Sequence, residues 1–123
     1  MNYHIDNFGD ERIAEIFHSS PTIIVRNQKS LAIEGWASDE TAHLPAGKVE
    51  INIDGKLYPV TYGLDRPDVA KAYNVPAYKH SGFKGAIPIS KIGKGKHYLQ
   101  LKVFSNNKKT NSLSKEIVNF EIQ

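Results

Sequence analysis

The chain of 123 residues contains no cysteine. A disulfide, a thiolate nucleophile and a cysteine-ligated zinc site are therefore excluded. No stretch approaches the roughly 18 apolar residues of a membrane-spanning helix, so no direct membrane insertion by this segment is expected. Residues 1 to 6 lack the basic region and the apolar core of a signal peptide. We therefore expect either a cytosolic protein or one domain of a longer protein whose anchor lies elsewhere.

Acidic residues are absent between Lys84 and Lys115. Residues 1 to 83 carry 8 basic and 11 acidic side chains, a net charge of −3, whereas residues 84 to 123 carry 8 lysines and 2 acids, a net charge of +6. This asymmetry fits a partner of opposite charge. It also fits a solvated lysine-rich surface that keeps edge strands from pairing. The second interpretation is favoured because the lysines alternate with apolar positions.

Hydrophobic residues make up 40% of the chain and charged residues 24%, which is typical of a soluble globular protein. A chain of this length buries enough surface to fold without cross-links. Residues 1 to 123 are therefore predicted to form a single domain.

The clearest local pattern is a β-hairpin. Apolar and polar residues alternate over residues 49 to 53, the period of a half-buried strand. Asp54 and Gly55 follow at once and favour a two-residue type I′ turn, because both central residues of that turn need positive φ. Residues 56 to 62 are predicted to form the returning strand.

Further strands are predicted from apolar alternation and β-branched residues, in residues 22 to 26, 30 to 36, 82 to 88, 97 to 104 and 116 to 122. About seven strands separated by turn signals are typical of two packed antiparallel sheets. The predicted fold is an all-β, Ig-like antiparallel β-sandwich with one or two short helical turns. Residues 10 to 17 and 65 to 73 have helical spacing, and Pro67 suits the first position of a helix.

No catalytic or metal-binding motif is present. The five histidines include no pair at i, i+2 or i, i+4 spacing, so no metal site is predicted. The glycine and serine motifs of phosphate-binding loops and hydrolases are also absent. We therefore predict no enzyme activity and no cofactor. His97 follows a glycine-rich turn and is predicted to form a structural hydrogen bond to that turn.

Nucleic acid is not a predicted partner. The lysine-rich C-terminal third supplies basic charge, but recognition also needs aromatic stacking platforms or a groove-reading element. Tyr98 and Phe104 lie at strand ends, where we expect a sandwich to use them for packing.

Aromatic residues supply the candidate binding site. Apolar sugar faces stack on rings, and sugar hydroxyls need polar partners. Trp36, the single tryptophan, is predicted to lie in the core. The long segment from residue 65 to residue 83 is predicted to carry function, because long loops often do. The candidate ligand-binding residues are Tyr73, Tyr78, His80 and Phe83.

A second cluster in this segment is interpreted as structural. The guanidinium group of Arg66 has a planar set of donors that ties carboxylates together. Asp65 and Asp68 flank it in sequence, so these three residues are predicted to lock the loop rather than to clamp a ligand or to act as a catalytic carboxylate pair.

The sequence resembles a family of bacterial accessory domains. The resemblance lies in the shared order and spacing of IEGWASD at 33 to 39, VEINIDG at 49 to 55, YGLDRPDVA at 62 to 70, SGF at 81 to 83 and GKGKH at 93 to 97. Such domains resemble Ig-like sandwiches and are appended to membrane-bound glycosyltransferases and envelope proteins. The resemblance implies a non-catalytic, extracytoplasmic role, with a polysaccharide or an adjacent protein domain as partner, and it identifies no ligand residues. A purely structural spacer is the alternative.

Overall fold

The computed structural model describes residues 2 to 9, 11 to 12, 22 to 115 and 117 to 123. The strands in these ranges are β1 (Asn2–Phe8), β2 (Glu11–Arg12), β3 (Ile23–Val25), β4 (Ser30–Asp39), β5 (Leu44–Pro45), β6 (Lys48–Ile53), β7 (Lys56–Pro59), β8 (Thr61–Leu64), β9 (Gly82–Pro88), β10 (Gly95–Phe104), β11 (Asn111–Leu113) and β12 (Val118–Ile122). The first sheet has the order β2-β1-β4-β9-β8, with β5 paired to β4. The second has the order β3-β12-β10-β6-β7, with β11 paired to β10. The predicted all-β sandwich with few helical turns is confirmed.

One strand pair departs from the antiparallel pattern. β3 runs parallel to β12, with Ile23 opposite Phe120. β3 and β4 therefore belong to different sheets although they are consecutive in the chain. The short segment between them carries the chain from one sheet to the other, and Asn27 in this segment has a φ of 55°.

The predicted hairpin turn is confirmed, because Asp54 and Gly55 have φ angles of 52° and 92°. The returning strand is shorter than predicted. β7 ends at Pro59, and residues from Thr61 onward pair with β9 in the first sheet. Proline has no backbone N–H to continue the ladder, which favours a strand end at this position. The single strand predicted over residues 56 to 62 is therefore two strands in different sheets.

The apolar faces of the two sheets form the main core. Its members include Ile5, Phe8, Leu31, Ile33, Ile51, Phe83, Leu99, Leu101 and Phe120. A close approach of β1 to β4 requires glycine at residue 35, since an added Cβ would lie 2.1 Å from the carbonyl oxygen of His4. The ring of Phe83 would lie 2.8 Å from the same Cβ, so a side chain at residue 35 has no other space to occupy.

Three short helices lie among the described residues: α1 (Pro67–Tyr73), a 3₁₀ helix (Pro76–His80) and α2 (Ile89–Ile92). The helical turns predicted over residues 65 to 73 are confirmed, with Pro67 at the start of α1. The helix predicted over residues 10 to 17 is wrong at Glu11 and Arg12, which pair with β1, and its remainder lies outside the described residues. No helix in the described ranges combines the length and the apolar character needed to cross a bilayer.

Candidate functional site

Arg66 lies at the centre of a network that holds the start of α1. Its Nε and Nη2 atoms donate to the two carboxylate oxygens of Asp68 at 3.0 and 2.8 Å. Its Nη1 atom donates to Asp6 of β1 at 2.6 Å. The backbone N–H of Arg66 donates to the carbonyl oxygen of Lys79, also at 2.6 Å. A bidentate pair of this kind fixes both position and orientation.

The partners of this network differ partly from the predicted set. Arg66 and Asp68 form the predicted ion pair, but the second carboxylate comes from Asp6, 60 residues earlier in the chain. Asp65 instead lies 3.2 Å from the Nδ1 atom of His80, in a pair that is largely exposed. The prediction that Asp65 belongs to the Arg66 network is therefore wrong, because its exposed carboxylate pairs with His80 instead.

The network shifts the pKa values of Arg66 and Asp68 in the expected directions. The hydrogen bonds to Asp68 raise the pKa of Arg66 above its usual range, although burial opposes this effect. The same bonds hold the pKa of the Asp68 carboxyl below its usual range. Both groups therefore stay charged at neutral pH and are committed to each other, which fits a structural role.

The rings of the predicted binding loop do not form an exposed platform. Tyr78 and Phe83 are each only 2% exposed. Tyr78 packs with Trp36 and Val69 in a small second core, and Phe83 lies in the main core. The ligand-binding roles predicted for Tyr78 and Phe83 are corrected accordingly, because both rings are buried, one in each core. The core position predicted for Trp36 is confirmed.

Tyr73 and His80 remain at the surface. Tyr73 is 46% exposed, and its ring meets Trp36 edge-on at a centroid distance of 5.3 Å. It also contacts Tyr78 at 5.9 Å, so one side of the ring is already used in packing. His80 faces solvent beside Asp65. The structure therefore leaves one ring of the predicted loop available for stacking.

A different surface presents polar and apolar groups together. It is the outward side of the second sheet, where β10 runs through the middle with Tyr98, Gln100, Lys102 and Phe104 alternating with the buried core residues of the strand. A shallow depression of about 400 Å³ lies over this surface. We name this surface the β10 face. The residues that line it are Asn52, Gly55, Leu57, Tyr98, Gln100, Lys102, Asn111 and Leu113.

The β10 face has an apolar part and an amide part. Tyr98 is 38% exposed and Leu113 is 49% exposed, and Leu57 on β7 is similarly open. Between them, Asn52 donates to the side-chain oxygen of Gln100 at 3.5 Å, and Gln100 donates to the carbonyl oxygen of Ser114 at 2.8 Å. These bonds hold the Gln100 amide in place, and it retains further hydrogen-bonding capacity, whereas Asn52 is buried and only 5% exposed.

Phe104 extends this surface at the end of β10. The Nζ atom of Lys102 lies 5.3 Å from the centroid of its ring, and that of Lys48 lies 5.5 Å away. Both distances fall within the range of cation–π contacts. The packing role predicted for Tyr98 and Phe104 is therefore incomplete, because both rings are on the outward side of the sheet. The alternation of apolar and polar residues along β10 is the sequence signal that identifies these two residues as outward-facing.

His97 and Tyr62 form hydrogen bonds that have a structural role. His97 forms the predicted hydrogen bond to the glycine-rich turn, with Nε2 at 2.8 Å from the carbonyl oxygen of Gly93. The Tyr62 hydroxyl donates to the carbonyl oxygen of Ala37 at 2.7 Å and accepts the N–H of Ala46 at 2.8 Å, and burial raises its pKa. In the part of the chain that the structure describes, no group of three metal-ligating side chains lies together.

No protein-family model matches the sequence, and no curated protein matches it either. Among solved structures, the chain is similar to the endo-beta-1,4-mannanase from Thermotoga petrophila, with a TM-score of 0.55 and 6% sequence identity. The similarity covers 100% of this chain and 20% of the mannanase chain. The chain therefore spans about a fifth of that protein. At this level of identity the likeness concerns the fold alone.

Proposed function

We propose that this chain is a non-catalytic accessory domain of a bacterial cell-envelope protein and that it binds a glycan through the β10 face. The observation that carries the proposal is the exposed ring of Tyr98 beside the half-buried amide of Gln100, which is held in place by its bonds to Asn52 and Ser114. A ring offers a stacking surface for the apolar side of a sugar, and amides offer donors and acceptors for hydroxyls. An open, shallow surface of this kind suits a polymer that continues beyond the site at both ends.

The state of the carboxylates supports a non-catalytic role. A general acid needs a carboxyl group whose pKa is raised towards neutrality. Among the described residues, the two carboxyls with shifted pKa values are Asp39 and Asp68, and hydrogen bonds lower both. Asp68 also accepts hydrogen bonds from the Nε and Nη2 atoms of Arg66.

Two further lines support the setting. The resemblance of the sequence motifs to envelope accessory domains implies an extracytoplasmic location. The fold similarity to about a fifth of a mannanase chain shows that a fold of this kind occurs as one part of a longer chain, which fits an appended domain. Neither line selects a particular sugar.

The proposal is tested on a glycan array with the wild-type protein and two matched variants. Tyr98→Ala removes the exposed ring of the β10 face, and Tyr73→Ala removes the exposed ring of the predicted loop. We expect the bound glycans to lose about 10-fold in affinity with Tyr98→Ala, since one ring contact is worth on the order of 1.4 kcal/mol. Tyr73→Ala should bind as the wild type does. The absence of any bound glycan, or a loss confined to Tyr73→Ala, would contradict the proposal.

A purely structural spacer is the second candidate function. The burial of Tyr78 and Phe83 favours it, because the loop that connects β8 to β9 is packed rather than poised for a ligand. The Arg66 network, which ties this loop to β1, also favours a rigid body. If the domain is only a spacer, we expect no glycan on the array to bind above background, and the wild type and Tyr98→Ala should give the same background signal.

A further inference from the structure

We propose that the glycan on the β10 face is anionic and that its negative charges lie at the Phe104 end of β10. This inference rests on the proposed function and adds the charge and the orientation of the ligand. It is carried by an aromatic ring set between two ammonium groups, and by further lysines in the adjoining turn.

The outward side chains of β10 form a line rather than a pocket. Tyr98, Gln100, Lys102 and Phe104 are alternate residues of one strand, so the two rings lie six residues apart. At about 3.3 Å per residue the line is about 20 Å long. An extended polymer therefore fits this surface along the strand direction, with amides under its middle and a ring under each end.

The cations are concentrated at one end of this line. Lys102 and Lys48 place their Nζ atoms 5.3 and 5.5 Å from the Phe104 ring centroid. Lys108 and Lys109 lie in the turn that follows β10. Two lysine ammonium groups thus lie beside one ring, and two further lysines lie in the adjoining turn.

Nearby acids offset only part of this charge. Glu50 lies 3.7 Å from Lys48 and stands opposite Lys102 in the strand register, but its side chain is 16% exposed whereas that of Lys48 is 52% exposed, and such surface pairs are weak. The carboxylate of Asp39 is buried and accepts the N–H of Asn106. Lysines therefore outnumber carboxylates at this end, and the more accessible charges are positive.

A nucleic acid is the less suitable polyanion. Successive bases stack on neighbouring rings, whereas the rings of this line are separated by about 20 Å and by a glutamine and a lysine. The ring of Phe104 is also contacted by two ammonium groups, which leaves less of it for a base. A chain of sugars needs only occasional ring contacts and uses the amides between them.

The test compares polymers that differ in charge but share a backbone. Dextran is compared with dextran sulfate, and methyl-esterified pectin with polygalacturonate, because an ammonium group is a point charge that accepts either sulfate or carboxylate. Single-stranded DNA is the third class. Affinities are measured by calorimetry for the wild type, for Lys48→Gln/Lys102→Gln and for the control Lys71→Gln/Lys79→Gln, which removes the same charge from exposed lysines of the loop.

We expect at least one anionic polymer to bind about 10-fold more tightly than its neutral partner. The difference should shrink as salt rises from about 0.02 M to about 0.5 M, because screening weakens exposed charge contacts. Lys48→Gln/Lys102→Gln should abolish the preference, and Lys71→Gln/Lys79→Gln should retain it. Unfolding curves of all variants establish that the comparison is made on folded protein.

Four results would overturn the inference. The first is equal affinity for charged and neutral polymers; if Tyr98→Ala still weakens that binding, the proposed function stands while the anionic ligand falls. The second is an equal loss in both lysine double variants, which would indicate a general effect of net charge. The third is tighter binding of single-stranded DNA than of either anionic glycan. Failure of every polymer to bind overturns this inference together with the glycan proposal.

Discussion

His97 and Asp54 are joined across the second sheet, where the Nδ1 atom of His97 meets one carboxylate oxygen of Asp54. The other oxygen of Asp54 accepts the N–H of Tyr98 at 3.0 Å. The Nε2 atom of His97 lies 2.8 Å from the carbonyl oxygen of Gly93. This histidine therefore links the hairpin turn, the glycine-rich turn and the start of the line of outward residues on β10.

The first prediction concerns this pair. Asp54→Ala removes two acceptors and leaves a ring nitrogen of His97, whose side chain is only 11% exposed, without its carboxylate partner. We expect a loss of about 1–3 kcal/mol in the free energy of unfolding, measured in urea. The matched control is Asp65→Ala, which breaks an exposed histidine–aspartate pair and should cost less than about 0.5 kcal/mol. Equal losses in the two variants would contradict a structural role for the His97–Asp54 pair.

The second prediction concerns the Arg66 network. Arg66→Lys keeps the charge but loses the planar fork that bonds Asp68 with two atoms and Asp6 with a third. We expect it to lower the free energy of unfolding by about 1–2 kcal/mol, because bonds to charged groups are lost.

Hydrogen exchange should also show faster opening of α1 in Arg66→Lys, since the arginine ties the start of this helix to β1. Lys71→Arg, on the exposed side of the same helix, serves as the control and should leave both measurements unchanged. A stable Arg66→Lys variant with normal exchange in α1 would show that the network does not hold the loop.

The third prediction concerns acid pH. The N–H of Asn106, with smaller effects from those of Ala42 and Thr41, holds the pKa of Asp39 below its usual range against the opposing effect of burial. The folded pKa therefore lies below the unfolded value of about 3.9. The stability that Asp39 contributes is fully present above that unfolded value and is lost as the pH falls through the folded pKa.

Urea unfolding from pH 7 down to about pH 2.5 measures this dependence. Asp39→Asn, which cannot titrate, should be less stable than the wild type at pH 7 and should lose less stability on acidification. Part of the wild-type slope should persist in this variant, because Asp68 also has a lowered pKa. Identical slopes in the two proteins would contradict the contribution assigned to Asp39.

Local features were predictable because they depend on neighbours in the chain. The type I′ turn follows from Asp54-Gly55, whose positive φ angles both occur in the structure. The start of α1 follows from Pro67, since a fixed φ and a missing N–H suit the first helical position. The strand from residue 82 to residue 88 coincides with its predicted bounds.

The candidate site was predicted less well. Tyr73, Tyr78 and Phe83 were grouped because they lie in one irregular segment, but packing between the loop and the sheets buries two of these rings. The positions of Tyr98 and Phe104 near strand ends predict packing, but both rings lie on the outward side of the sheet, where Tyr98 is exposed and Phe104 is half-buried. Burial depends on which element covers a residue, and that element is distant in sequence.

The sequence by itself determined the strand over residues 82 to 88, the hairpin turn and the alternation of β10, because backbone preference and period-two patterning are local properties. Only the tertiary structure decided that the chain changes sheets after Pro59, that Arg66 reaches Asp6 and that Tyr98 faces solvent. Each of these outcomes depends on how the two sheets are placed against each other. That placement arises from contacts across long sequence separations, which no local pattern specifies.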